Sequence, residues 1–429
     1  MSDSSILFQN VRIFDGTSDA LSAASNVLVR RNKIERISTG AIVADAITTV
    51  IAGGGRTLMP GLIDAHWHSM FAALSLQTGL SANFGYLNLL AAREAGNTLM
   101  RGFTAVRDIG GPIFGLKRAI DEGVVIGPRV WPSGAMISQT GGHGDYRMPY
   151  EVPTPSCAPL HHYEQMEAVA LADSPDEVRK RTRELLMLGA TQIKLAAGGG
   201  VSSNYDPIDV TEYTEAEFRA AVEAAENWGT YVTVHAYTPR AIQTAIRAGV
   251  RCIEHGQLAD ETSVKLMAEK GIWWCLQPFL DDEDAVPFPE GSPNREKQLQ
   301  MVRGTDTAYA LAKKYKIKTA WGTDTLFDAK LATRQGAQLA KMVHWYTPTE
   351  VLKIATADNA ECLALSGKRT AYAGKLGVVQ EGALADLLLV DGDPIANMKL
   401  IEDPAKTFVV IMKDGKIYKN SLSQPGRLA

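Results

Sequence analysis

Between Met59 and Leu365 the sequence alternates short apolar runs with amphipathic segments, and no other feature restricts the possible folds as strongly. Asp173-Ser174-Pro175 opens a helix with a cap and then a proline in the first turn; the helix runs to Leu188, before Gly189. Strand 191–196 (TQIKLA) follows. Thr214 and Glu217 then form a capping box, Phe218, Ala221, Val222 and Ala225 mark an apolar face, and Gly229 closes the helix. The series continues with strand 230–236, helix 239–248, strand 250–255, helix 260–270, strand 272–276, a helix across 296–314 and strand 318–324. Repeated strand–helix units over about 300 residues predict an α/β fold, a (β/α)₈ TIM barrel, whose usual size is roughly 250 residues. A doubly wound sheet is the competitor, but no GxGxxG follows a first strand.

The two chain ends have a different texture. Residues 6–14, 26–38 and 46–54 read as short strands, and so do 385–392 and 408–420, the last with an Asp414-Gly415 hairpin signal. Neither end carries enough apolar surface for a stable domain alone. One small β-sandwich module built from residues 1–58 and 367–429 is therefore expected, around a barrel spanning 59–366. Two connections are longer than barrel loops usually are. Residues 138–172 are rich in Gly, Pro and His, and 278–295 carry Asp281, Asp282, Glu283, Asp284 and four prolines. Both follow strand ends, so they lie over the barrel mouth as a lid with substrate contacts, or they are solvated insertions.

Composition removes several classes of function. With 44 Lys and Arg against 48 Asp and Glu, the chain lacks the basic excess of a polyanion binder, so no nucleic-acid partner is expected. No run reaches the roughly 18 apolar residues of a membrane span. The beginning, MSDSSILFQNVRIFDG, has no basic segment followed by an apolar one, as a signal peptide would. Cysteines at 157, 252, 275 and 362 form no CxxC or zinc-finger spacing, and are expected to be reduced, buried residues of a cytoplasmic protein.

The chemistry lies in polar residues at strand ends. His66 and His68 follow the apolar run TLMPGLIDA, and residues two apart on a strand project to one face, as two ligands of one metal require. Lys194, His235, His255 and Asp324 each end a strand of their own. An unpaired buried charge is costly, so such residues converging on one barrel face imply a shared cation. A protonated lysine has no acceptor and cannot ligate a metal. A neutral Lys194 amine can take up CO₂ as a carbamate, whose two oxygens suffice to bridge two divalent ions. The expected site thus holds His66 and His68 on one ion, His235 and His255 on the other, and carbamylated Lys194 between them. A metal-bridging hydroxide would attack a scissile carbonyl, with Asp324 holding one ion, accepting the water's proton and passing it to the leaving amine.

The chain resembles the metal-dependent amidohydrolase superfamily through PGLIDAHWH (60–68), GFTAVRDIGG (102–111), Lys194, His235, His255, GTD (322–324) and LGVVQEGALADLLLVDGDP (376–394). In that family these positions fill the ligand and acid–base roles just described. GGHGD (141–145), KLAAGGGVSSNYDPIDV (194–210) and HAYTPRAI (235–242) look like the branch of Xaa-Pro dipeptidases and ochratoxinase-type amidases, related to imidazolonepropionase. The resemblance implies two divalent ions, zinc being the expected one, CO₂ for Lys194, a homo-oligomer, and a small amide or dipeptide substrate with a free C-terminal carboxylate. A cyclic-amide hydrolase or deaminase of imidazolonepropionase type is the alternative.

A free carboxylate needs a clamp. His143, in its glycine frame, is a candidate to donate to the oxyanion or bind the carboxylate; Tyr237, two residues after His235, is another, and Arg147 and Arg240 are two more. The three glycines at 198–200 lack the Lys-Ser/Thr of a phosphate loop, which leaves close backbone approach to substrate or metal as their use. His161, His162 and His344 have no strand-end context, and Trp273-Trp274 read as core packing, one to each side.

Overall fold

The computed structural model describes residues 5–44, 47–154 and 158–422. Its central strands run in chain order as Leu62–Trp67, Phe103–Asp108, a third station divided into Arg129–Pro132 and Met136–Ser138, Ile193–Ala196, Val232–Ala236, Cys252–His255, Trp273–Leu276 and Thr319–Trp321. Neighbours pair in parallel throughout. Nearly every position in them is buried, as expected when helices cover one face and side chains fill the other. The third station breaks at Gly134, whose φ of +73° suits glycine, and the ring of Phe114 and the side chain of Leu185 leave no room there for a Cβ. The barrel closes between its last and first strands. Asn359 Nδ2 donates to the carbonyls of Ile63 (2.7 Å) and Trp321 (2.8 Å), and the Asp324 amide donates to the His66 carbonyl at 2.8 Å.

Helix limits follow their local signals. Ser174 caps Pro175–Leu188, which ends on Gly189 at φ +105°. Thr214 and Glu217 make both bonds of their capping box on Glu215–Trp228, which ends on Gly229 at φ +75°. Phe218, Ala221, Val222 and Ala225 of that helix are buried, and burying a phenylalanine fully contributes about 1.5–3 kcal/mol. The helix expected across 296–314 divides into Pro293–Val302 and Thr305–Lys314. The cause is Gly304: a Cβ there would lie 2.0 Å from the Gln257 carbonyl oxygen, so the backbone bends to make that approach. Likewise, strand 318–324 ends early, at Trp321, and Asp324 sits beyond it at φ +52°.

Strands from the two ends of the chain meet in one sheet. Ser5–Ile13 is its junction. The first part of this strand pairs with Ser25–Arg30 and Thr48–Ala52, while Arg12 and Ile13 pair with Thr57–Pro60, beside Leu387–Val390 and Phe408–Lys413. A register shift between Phe8 and Val11, with Asn10 at φ +54°, allows the strand to change partners. We propose that this arrangement is the β-sandwich module expected from residues 1–58 and 367–429. Arg129 ties it to the barrel, donating from Nε to Asp386 at 2.7 Å and from Nη2 to Asp414 at 2.6 Å. Cys252, Cys275 and Cys362 are free and buried; Cys157 lies outside the described residues.

The closing seam is tight. A Cβ on Gly322 would stand 2.3 Å from the His66 amide nitrogen. Gly322→Ala should therefore cost about 1–3 kcal/mol of stability through overpacking, read as a lower urea midpoint at unchanged slope. A variant with the wild-type midpoint would show that the seam has slack.

Candidate functional site

One cavity at the barrel mouth is lined by His66, His68, Lys194, His235, His255 and Asp324. The first strand delivers His66, and His68 follows one residue after its end, the two rings being 5.4 Å apart. His66 and His255 lie 4.8 Å apart between ring centres, and His235 and His255 lie 4.6 Å apart. His255 and Asp324 both occupy the left-handed region, with φ of +71° and +52°. Such backbone costs of order 1–3 kcal/mol and persists where surrounding structure holds it. For His255 that support is Trp274, whose indole N–H donates to the His255 carbonyl at 2.6 Å. Trp273 and Trp274 are both core residues, in keeping with packing as their main use.

Each of the four histidines has one ring nitrogen already committed. His66 Nδ1 donates to Glu254 Oε2 (2.9 Å), His68 Nδ1 to the Gly110 carbonyl (3.1 Å), His235 Nε2 to the Gly199 carbonyl (3.1 Å) and His255 Nδ1 to Gln277 Oε1 (2.7 Å). Those acceptors fix the tautomers of the neutral rings, in which the opposite nitrogen carries the lone pair. His66 Nε2 and His68 Nε2 both approach Asp324 Oδ1, at 3.0 and 3.2 Å. Three such atoms this close together need a proton or a metal ion between them, and a divalent cation with N and O ligands fits this donor set. His66, His255 and Asp324 have ligand atoms within 4.8 Å of one another.

Burial pushes His235 and His255 far below the ordinary imidazole range, His143 adding to the effect at His235, so both are neutral and available as ligands. Burial works against the charged form of Asp324 as well, but His66 and His68 outweigh it and hold this carboxyl well below its usual range. Lys194 is fully enclosed, and burial lowers its amine below the ordinary lysine range against the pull of Glu254 and Asp324. Its Nζ has no hydrogen bond or ion pair among the described residues.

The remaining residues divide. His143 and Tyr237 line the cavity, His143 stacking on His235 at 4.1 Å and Tyr237 standing edge-on to it at 4.9 Å. Arg147 and Arg240, the other two residues expected beside the substrate, do not belong to the lining. Arg147 is held by Asp145 and by Thr154 at 3.0 Å, and Arg240 is exposed on the first turn of Pro239–Arg247. His161, His162 and His344 also lie outside the lining. Both long connections contribute cover. Tyr146, Tyr163 and Val169 come from one, and Pro278, Phe279, Val286 and Phe288 from the other. The acids of the second are pinned rather than free in solvent: Asp281 by Arg295, Asp282 by Lys341, Glu283 and Asp284 by Arg334. Phe71, Tyr146, Tyr163 and Phe327 form an aromatic wall on one side.

Glu212, outside the lining but bonded to the His143 backbone, is a supporting residue that sequence reasoning missed. It lies beyond the fourth strand, and its carboxyl oxygens accept from the His143 amide at 2.6 Å and from Ser138 Oγ at 2.9 Å, holding the 141–145 turn. Burial pushes its pKa up to about 8 from 4.5. The folded protein therefore binds a proton that the unfolded chain has released, and stability should fall as pH rises from about 4.5 to about 8. Glu212→Gln should flatten the decline, measured as denaturation midpoints across that window. Parallel curves for the two proteins would exclude Glu212 as its source.

Comparison with known proteins accords with this geometry. Residues 57–419 match the amidohydrolase family. The ochratoxinase of Aspergillus niger is 31% identical over 373 residues, covering 84% of this chain and 75% of that protein. A prolidase complexed with N-methylphosphonate-L-proline superposes with a TM-score of 0.87 at 32% identity, over 97% of this chain and 100% of that one. A Xaa-Pro dipeptidase with methionine bound in its active site gives 0.82 at 28% identity, over 97% and 100%. The chain belongs to the amidohydrolase family, a generally metal-dependent family, and is a hydrolase acting on amide bonds of small molecules.

Proposed function

We propose that this amidohydrolase is a binuclear metalloenzyme that hydrolyses the amide bond of an N-acyl amino acid or dipeptide with a free C-terminal carboxylate. The observation that carries the reading is the set of four histidines, each presenting one lone pair to a cavity that also holds a carboxylate and an enclosed amine. His66, His68 and Asp324 would hold one divalent ion, His235 and His255 a second, and Lys194, as a carbamate formed with CO₂, would be shared; zinc suits these ligands. When bound, the ions polarise the scissile carbonyl and make water acidic enough to attack near neutral pH.

The chain's own groups manage the protons and the pose. Asp324 takes the proton of the attacking water and returns it to the amide nitrogen, so that the new C–O bond replaces C–N and the amino acid leaves as an amine. His143 and Tyr237 bind the carboxylate or steady the oxyanion. The aromatic wall receives the acyl side. Substrate choice is supported by the relatives, one named for ochratoxin and two for prolyl or Xaa-Pro dipeptide cleavage. The wall favours a bulky apolar acyl group, so an aromatic acyl amino acid ranks beside Xaa-Pro dipeptides. The reading includes a cytoplasmic homo-oligomer with no nucleic-acid or membrane partner; among the described residues no helix is long and apolar enough to cross a membrane.

A panel of N-acyl amino acids and dipeptides, varied at both ends and read by amino acid release, tests the substrate class. At least one free-carboxylate amide should be cleaved, and its activity should vanish on chelation and return only with both divalent ion and bicarbonate. Asp324→Asn should lower kcat by about 10²–10⁴-fold at an unchanged melting temperature. Cleavage of cyclic amides alone, or an undiminished rate in Asp324→Asn, would overturn the assignment.

A further inference from the structure

The loop after the fourth strand contains a buried ionic group that the reaction just described does not use. Asp206 is fully enclosed, and its Oδ2 accepts from the Gly200 amide at 2.6 Å and from Ser203 Oγ at 2.7 Å. Ser203 Oγ lies 2.9 Å from His143 Nδ1, and Asp206 Oδ2 lies 3.6 Å from the same nitrogen. From the seventh connection, Lys297 reaches across and donates to the carbonyls of Gly200 (2.9 Å), Ser203 (2.8 Å) and Asp206 (2.9 Å). An ammonium group has three donors, so these carbonyls use all of them. Asn294, one turn earlier on the same helix, donates to the Val201 carbonyl at 2.7 Å.

We propose that Asp206, Ser203 and Lys297 form a positioning relay that commits His143 Nδ1 to Ser203 and leaves the opposite nitrogen of the ring as the one presented to substrate. The proton count supports this. Ser203 has a single hydroxyl proton, and the carboxylate of Asp206 is its strongest nearby acceptor. With that proton spent, Ser203 Oγ can only accept from His143, so Nδ1 must be the protonated nitrogen. Packing gives a second support. A Cβ on Gly200 would lie 1.9 Å from His143 Nδ1, so the ring rests directly on this backbone. Gly200 thus serves close approach of a side chain to the main chain, while Gly198 and Gly199 lie against the carbonyls of Val210 and Pro207. A purely structural loop would not need a charged group aimed, through a hydroxyl, at a cavity-lining imidazole. The Asp206 carboxylate also keeps Oδ1 without a hydrogen bond, its nearest cation being Lys297 at 4.0 Å. Burial of an underused charge is expensive, and the relay gives it a purpose.

The relay rests on the reading of His143 as a substrate contact, so its test includes an observable that needs no substrate. Imidazole ¹⁵N spectra of the metal-loaded protein, with His143 assigned through its loss in His143→Asn, report which nitrogen carries the proton. The wild type should show an Nδ1 proton slow to exchange. Asp206→Ala and Ser203→Ala should each lose that signal, whereas Asp206→Asn, which keeps an oxygen for Gly200 and Ser203, should retain it. On whichever amide the wild type cleaves, kcat/KM should fall about 10²-fold in Asp206→Ala and recover most of this in Asp206→Asn, with melting temperatures alike. If Asp206→Ala does not fold, Ser203→Ala alone reads the relay. An unchanged Nδ1 signal in the folded alanine variants, whatever their rates, would overturn the proposal. Failure of the wild type to cleave any amide on the panel would instead strike at the functional reading and leave the spectra to decide the relay.

Discussion

Glu254 is a charge at the centre of the barrel, and the site is arranged around it. Burial alone would raise its pKa, but Arg107, at 2.7 Å, together with His66 and Lys194, holds it far below the usual carboxylate range. Thr233 and Cys252 also donate to it. The ionised carboxylate fixes the Nδ1 proton of His66, and this in turn leaves His66 Nε2 as a free lone pair beside Asp324. Removing either member of such a buried pair typically costs 3–5 kcal/mol, because the other charge is left uncompensated. Arg107 extends the same constraint to the first strand by donating to the Ala65 carbonyl at 2.6 Å, one residue before His66.

Outer groups repeat this logic around the cavity. Gly110, Gly199 and Gln277 do for His68, His235 and His255 what Glu254 does for His66: each takes one ring proton and so decides which nitrogen faces inward. The scaffold thereby converts tautomerism, which is free in water, into a fixed donor pattern. Strained backbone at His255 and Asp324 serves the same end, since both residues must turn over the rim of the barrel rather than continue along it.

Much of this was legible in the sequence because it depends on local rules. Capping residues and terminal glycines placed the helices at Pro175–Leu188 and Glu215–Trp228, and polar residues after apolar runs pointed to His66, His68, Lys194, His235, His255 and Asp324. What escaped depends on contacts distant in the chain. Glu254 precedes His255, and strand alternation would send the two to opposite faces; the positive φ at His255 breaks that alternation. Gln277 and Glu212 act through partners 22 to 74 residues away, and Asp206 faces His143 from a distant loop, which no spacing reveals. Arg147 and Arg240 lie close in sequence to cavity residues, but proximity does not decide where a long side chain points, and Asp145 takes the first. The break at Gly304 likewise comes from a carbonyl on another segment.

In the proposed reaction the enclosed Lys194 amine would become a shared ligand of two ions. Crystals grown with zinc and bicarbonate, with diffraction recorded on both sides of the zinc absorption edge, test it most directly. Two anomalous peaks are expected in the cavity, one beside His66, His68 and Asp324 and one beside His235 and His255, with density for a carbamate extending from Lys194 Nζ. A single peak, or a bare amine at Lys194, would contradict it.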